Sequence, residues 1–250
     1  LSNLQIGTLF AVLSFAVFPA VSVVLGGFIA FIRTPTAAVR SAVQHFAAGV
    51  IFCVLATELL PDLIHRRMPI WTIVGFSLGV ATMLAVKHFA EGSPAEGATV
   101  TGAFADKTSS SLVFAMGLDI ALDGLLIGLG FAAGQKQGLL LTIAMVMEVF
   151  FLGLACATSL TANAASRSRI VWTLVIFGGL LLAGASAGAI ALTQLAPAAL
   201  DALLAFGVAA LLYLVTEELL VEAHEVPETP FQTAMFFVGF IVLFTVDMLI

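Results

Sequence analysis

The chain has 250 residues, of which 61% are hydrophobic and only 10% charged, and its mean hydropathy is +1.17. Soluble domains carry about a quarter of their residues as charges, so this composition excludes an ordinary soluble fold and points to lipid as the surrounding medium. The net charge of −6 excludes a basic nucleic-acid-binding face. The two cysteines, Cys53 and Cys156, lie in apolar runs without CxxC spacing, which argues against a zinc ribbon or a disulfide framework.

A helix that crosses a bilayer needs about 20 mostly apolar residues. Eight segments meet that requirement, near 4–32, 41–63, 69–90, 110–133, 138–161, 170–194, 198–222 and 231–250. The expected fold is therefore an all-α integral membrane protein, one domain built as a bundle of eight transmembrane helices. The first segment is too long for a signal-peptide core and has no basic leader, so it reads as a true span. The breaks hold polar, proline or charged residues, as in Arg33-Thr34-Pro35, His65-Arg66-Arg67-Met68-Pro69 and Gly134-Gln135-Lys136-Gln137. The long connection 91–110 is rich in Gly, Ser, Ala and Thr and reads as a flexible loop. Arg33, Arg40, Lys107, Arg167 and Arg169 fall after odd-numbered segments, whereas Arg66, Arg67 and Lys136 fall after even-numbered ones. This bias puts the long loop in the cytoplasm and both termini outside. No short-period repeat stands out. Small residues in the sixth segment, Gly178-Gly179 and Gly184-Ala185-Ser186-Ala187-Gly188, suit close helix packing.

Acids within these segments need a reason, because a charge at the bilayer centre costs about 2.5–3.5 kcal/mol on insertion scales. Asp119 and Asp123 are four apart and share a helix face, with Met116 one turn earlier on it. Glu148, preceded by Met147, lies at similar depth on the next helix. No Lys or Arg occupies mid-span, so converging carboxylates must share protons or hold a cation. Glu58, in Thr57-Glu58-Leu59-Leu60-Pro61-Asp62, and Glu217, Glu218 and Glu222, with His224, lie shallower and read as an entrance or exit path. Asp247 has no evident partner. His45 and His88 read as interfacial, and His65 as a loop residue.

With these residues in view, the chain resembles the ZIP family of divalent metal transporters (zinc- and iron-regulated transporter-like proteins). The run Phe46-Ala47-Ala48-Gly49-Val50-Ile51-Phe52 leading to Glu58-Leu59-Leu60-Pro61-Asp62 is similar to the family's second helix. Glu217-Glu218-Leu219-Leu220-Val221-Glu222 is similar to the H-E-x-x-P-E of its seventh. Phe237-Val238-Gly239-Phe240 followed by Asp247 is similar to its last. The family's fourth-helix H-N-x-P-E-G stands here as Asp119-Ile120-Ala121-Leu122-Asp123-Gly124, and its fifth-helix motif as Glu148-Val149-Phe150-Phe151-Leu152-Gly153. The resemblance implies the ZIP arrangement of eight helices and one surviving central metal site of Asp119, Asp123 and Glu148, to which Met116 or Met147 could add a thioether. The residues of a second adjacent site are replaced by Val149 and Leu152. Loss of both prolines implies straighter fourth and fifth helices. The family's mechanism implies that helices one, four, five and six move as an elevator against the other four.

The expected function is thus transmembrane transport of divalent cations, zinc by family and Cd, Mn or Fe as alternatives. No catalytic residue and no resident cofactor is expected. The partners are the ion and the lipid bilayer, with a homodimer left open. Short connections favour a prokaryotic cell membrane. Three carboxylates make a hard oxygen site, which shifts preference toward Mg or Mn, although zinc also binds carboxylates. Rival readings are a degenerate relative that binds or senses metal, a carrier of protons or other cations, and an intramembrane serine protease. The last rests on a literal G-x-S-x-G at Gly184–Gly188 but lacks the strand–turn–helix setting and a mid-depth His.

Overall fold

The structure, a computed structural model, describes residues 3–32, 36–91, 109–224, 226–227 and 229–249. Most of the expected loop 91–110 lies outside the described residues. Eight long helical stretches follow one another in them: α1 (Asn3–Ile32), α2 (Ala37–Val54, continuing through Leu55–Leu59 into Leu60–Arg66), α3 (Pro69–Glu91) and α4 (Ser109–Ala133). The remainder are α5 (Gln135–Ala162), α6 (Arg167–Gln194), α7 (Pro197–Tyr213, continuing through Leu214–Leu219 into Leu220–Ala223) and α8 (Pro230–Leu249). Seven of these are long and apolar enough to cross a membrane. The other, α4, carries Asp119 and Asp123 within its length. Large apolar side chains such as Phe10, Ile32, Trp172, Phe237 and Leu249 face outward, as they do on a protein whose outer surface is covered by lipid. This is the architecture of a multi-pass helical membrane protein.

The helix boundaries follow local chemistry. Thr36 caps α2 by accepting from the Val39 amide, and Ser166 caps α6 by accepting from that of Arg169. Pro69 and Pro197 begin α3 and α7, where a missing amide hydrogen costs nothing. Arg67 ends α2 in the left-handed region at φ 54° and turns the chain into α3. His65 therefore lies in the last helical turn of α2, not in a loop, and its ring Nδ1 lies 2.7 Å from the Pro61 carbonyl oxygen. The α4 and α5 helices run unbroken through Asp119–Asp123 and Glu148, consistent with the absence of proline there.

The packing has a two-fold internal pattern that no short repeat announces. The helices α1, α5, α4 and α6 form a ring in which each packs on the next, while α2 pairs with α8 and α3 pairs with α7 outside it. Exchanging α1 with α6, α2 with α7, α3 with α8 and α4 with α5 maps these pairings onto one another. The equivalent helices α1 and α6 run antiparallel, since Gly27 meets Leu174 and Gly178 meets Ala20, so the two halves are inverted copies. Both α2 and α7 are interrupted by a single π turn, in which the Leu60 amide reaches back to the Leu55 carbonyl and that of Leu220 to Val215. Such turns insert one extra residue into a helix and frequently mark functional sites.

Backbone-to-backbone contact at glycine joins the pairs. A Cβ on Gly124 would lie 2.1 Å from the Leu181 carbonyl oxygen, and one on Gly184 would lie 2.2 Å from that of Ala121. Gly26 and Gly153 do the same between α1 and α5, and Gly49 and Gly239 between α2 and α8. Without a hydrophobic drive between helices in lipid, such close approach is a main source of association. Gly124→Ala and Gly184→Ala should each cost about 1–3 kcal/mol through overpacking, read as a lowered unfolding temperature in detergent. Gly179→Ala, with nothing within 4 Å of the added carbon, should show no loss.

Candidate metal centre

The α4 and α5 helices pack side by side in the ring, which brings together acids that the chain separates by a connection. Asp119 and Asp123, one turn apart, point from the same face of α4, and Glu148 meets them from α5. One carboxylate oxygen of each lies within 4.8 Å of the others. Asp123 is 2% exposed and Glu148 4%, while Asp119 is only partly buried. Among the described residues, Asp123 Oδ2 and both Glu148 oxygens are buried without a hydrogen-bond partner. A buried carboxylate in that condition costs several kcal/mol unless it is neutralised. Either protons or a cation can do so. Oxygens at the corners of a triangle of side 4.8 Å lie about 2.8 Å from its centre, so a slight contraction reaches the 2.0–2.6 Å bonds of hard divalent ions.

Met116 is buried, one turn before Asp119 on α4. Met147 is half-buried and is rotated about 100° from Glu148 around α5, so the two do not share a face. The three oxygen donors are what the structure brings within reach of one another.

The shallower acids separate into distinct settings. Glu218, in the π turn of α7, is within electrostatic range of both Asp123 and Glu148. Its neighbour Glu217 is half exposed and lies 3.6 Å from Lys87 Nζ. That ammonium also lies over the Tyr213 ring, 5.9 Å from its centroid. Glu58, in the π turn of α2, faces Lys136 at 3.5 Å and accepts a hydrogen bond from Gln137. Glu222 lies in the last turn of α7, and its side chain is outside the described residues. Asp62 pairs with Arg66 at 2.8 Å along α2.

Other expectations are corrected. Asp247 does have a partner: Lys136 Nζ lies 2.8 Å from its Oδ1. His45 is not interfacial but 2% exposed, because the first half of α2 packs against α8 and the end of α7, where Ser41 donates to the Ala223 carbonyl at 2.7 Å. Its ring contacts His224 edge to face at 5.1 Å between centroids. Asp201, unremarked in the sequence, is fully buried near the start of α7 and accepts from Thr72 at 2.9 Å. Its position four residues after Pro197, in the first turns of an otherwise apolar helix, was the available signal.

No protein-family model matches the chain, and no curated protein matches it. The site is therefore read from its own residues. If a divalent ion binds at Asp119, Asp123 and Glu148, Mn or Cd at 100 times its dissociation constant should raise stability by about 2.7 kcal/mol. Thermal unfolding in detergent checks this, and the shift should vanish in Asp123→Asn/Glu148→Gln.

Proposed function

We propose that this protein carries divalent metal ions across a membrane, with Asp119, Asp123 and Glu148 as the site that the ion visits. The observation that carries the reading is the convergence of three carboxylates from two ring helices, two of them buried and with oxygens that no described hydrogen bond satisfies. A membrane bundle tolerates such groups where a mobile cation or proton compensates them. The resemblance to the ZIP family supports eight spans, with α4 as the eighth. It also supports an elevator in which the α1–α4–α5–α6 ring shifts against the α2–α8 and α3–α7 pairs. The ring's closed packing is compatible with its moving as a unit.

The all-oxygen donor set favours Mn or Mg over a histidine-containing zinc site, with Zn, Cd and Fe as further candidates. Three ionised acids exceed a divalent charge by one, which favours a proton on one of them and proton-linked release. Glu218, facing the cluster from α7, is the nearest candidate for passing the ion onward, with Glu217 and Glu222 beyond it. We place the protein in a cell membrane with both termini outside, following the Lys and Arg bias, and a homodimer is compatible with the reading. Ser186 donates to the Leu182 carbonyl of its own helix at 2.8 Å, a setting that favours a packing role over nucleophilic chemistry. The second reading, a metal binder that does not transport, is favoured by Val149 and Leu152 standing where second-site ligands would be.

Uptake of Zn, Cd, Mn and Mg by liposomes holding the purified protein decides between them. A carrier should load at least one ion, and Asp119→Asn/Asp123→Asn should reduce uptake to the protein-free background. Binding without uptake would establish the second reading. Uptake should also vary with external pH between about 5.5 and 8, as expected for clustered carboxylates; a flat profile would remove the proton from the mechanism.

A further inference from the structure

The sequence places Lys136 in a connection, yet the structure puts its ammonium between two acids of other helices. Lys136 is the second residue of α5. Its Nζ lies 2.8 Å from Asp247 Oδ1, in the last turn of α8, and 3.5 Å from Glu58 Oε1, in the π turn of α2. Gln137 holds the other Glu58 oxygen, and the two acids are within hydrogen-bonding reach of each other. The acid side chains are 10% and 11% exposed, but that of Lys136 is 38% exposed, so the buried acids are closed off by a cation that solvent reaches.

Two features make this more than a surface ion pair. The first is charge: the hydrogen bond between the two acids holds one shared proton, so a single ammonium balances the pair as it stands, whereas a divalent ion in the ammonium's place would balance both acids once that proton leaves. The second is mechanical. The α2 and α8 helices pair outside the ring, and α5 belongs to it, so each contact of Lys136 and Gln137 with these acids crosses from one group to the other. The pinned end of α5 continues without a break to Glu148, twelve residues or about 18 Å further along the helix.

We propose that Lys136 is a tethered cation that keeps this mouth closed: its ammonium occupies the place where Glu58 and Asp247 would receive an arriving divalent ion, and displacing it frees the first turns of α5 from α2 and α8. The proposal rests on the carrier reading, to which it adds a gate that sets the threshold for ion entrance. It explains why an acid pair at the end of an apolar bundle is kept neutralised by a neighbour's side chain rather than left open to water. It also explains why the helix that carries Glu148 is the one that supplies the lysine.

The test is hydrogen–deuterium exchange across residues 134–141 of the full chain in detergent, with and without millimolar Mn, in a background of Asp123→Asn/Glu148→Gln that removes the central cluster. Loss of one partly exposed ion pair corresponds to an increase of about five-fold in local opening. Mn should therefore speed exchange in this segment by about that factor. Lys136→Met should show the fast rate without Mn, Lys136→Arg should keep the slow one, and Asp247→Asn should lose the response to Mn. Equal rates in Lys136→Met and the parent, or no effect of Mn on the parent, would overturn the gate. Liposome uptake is scored separately: Lys136→Met should lower the Mn concentration at half-maximal rate several-fold. Absence of uptake in the unmodified chain with the exchange pattern intact would sink the carrier reading and keep the gate, and uptake with an unresponsive exchange pattern would do the reverse.

Discussion

A carboxylate taken out of water must be neutralised, and the bundle brings three of them into one space. Asp123 and Glu148 are almost fully buried, and the oxygens they turn toward each other find no described donor. In a low-dielectric interior the penalty for leaving such groups ionised and unpaired outweighs the packing of several methylene groups. The arrangement is therefore sensible only for a protein in which a cation or proton is part of the working molecule. The tight ring of α1, α4, α5 and α6 brings these acids together, and its helices α1 and α6 also present large apolar side chains such as Phe10, Phe18 and Trp172 outward.

Glycine contacts let the helices of that ring approach closely. Where Gly124 and Gly128 on α4 face Gly184 and Gly188 on α6, backbone meets backbone with no side chain between. Small residues permit this approach and the close packing that results replaces the hydrophobic effect, which has little purchase between helices in lipid. The outer pairs use the same device at Gly49, Gly239, Gly75 and Gly79. The ring and the outer pairs meet through apolar side chains in the interior, such as Leu59, Leu126, Leu141 and Leu204, and through the polar contacts of Lys136 and Gln137 with Glu58 and Asp247.

The inverted two-fold pattern gives the polar contacts their places. Glu58 and Glu218 stand at equivalent points, each in the π turn of its helix, followed by the related runs Leu59-Leu60-Pro61-Asp62 and Leu219-Leu220-Val221-Glu222. Asp247 in α8 and Lys87 in α3 are likewise on equivalent helices, and each pairs across to a neighbour: Lys136 for the one, Glu217 for the other. The sign of the charge differs between the two ends. Two acids share one lysine at the Glu58 end, whereas Glu218 turns toward the central cluster and leaves Glu217 to Lys87.

Hydropathy by itself determined that this chain belongs in lipid and where its long apolar segments lie, because a run of some 20 apolar residues has few other uses. The i, i+4 spacing of Asp119 and Asp123 fixed their common face, since an α-helix repeats every 3.6 residues, and the cost of a buried charge singled out Glu148. Only tertiary packing decided that Glu148 meets the other two, because α4 and α5 had to lie side by side at the right depth. The π turns were invisible, since Leu55–Leu59 and Leu214–Leu219 read as ordinary helix and one inserted residue leaves no mark on composition. The seating of Lys136 between Glu58 and Asp247, and the burial of His45 and Asp201, depended on which helices pair. That is a property of contacts between residues far apart in the chain, which local periodicity does not encode.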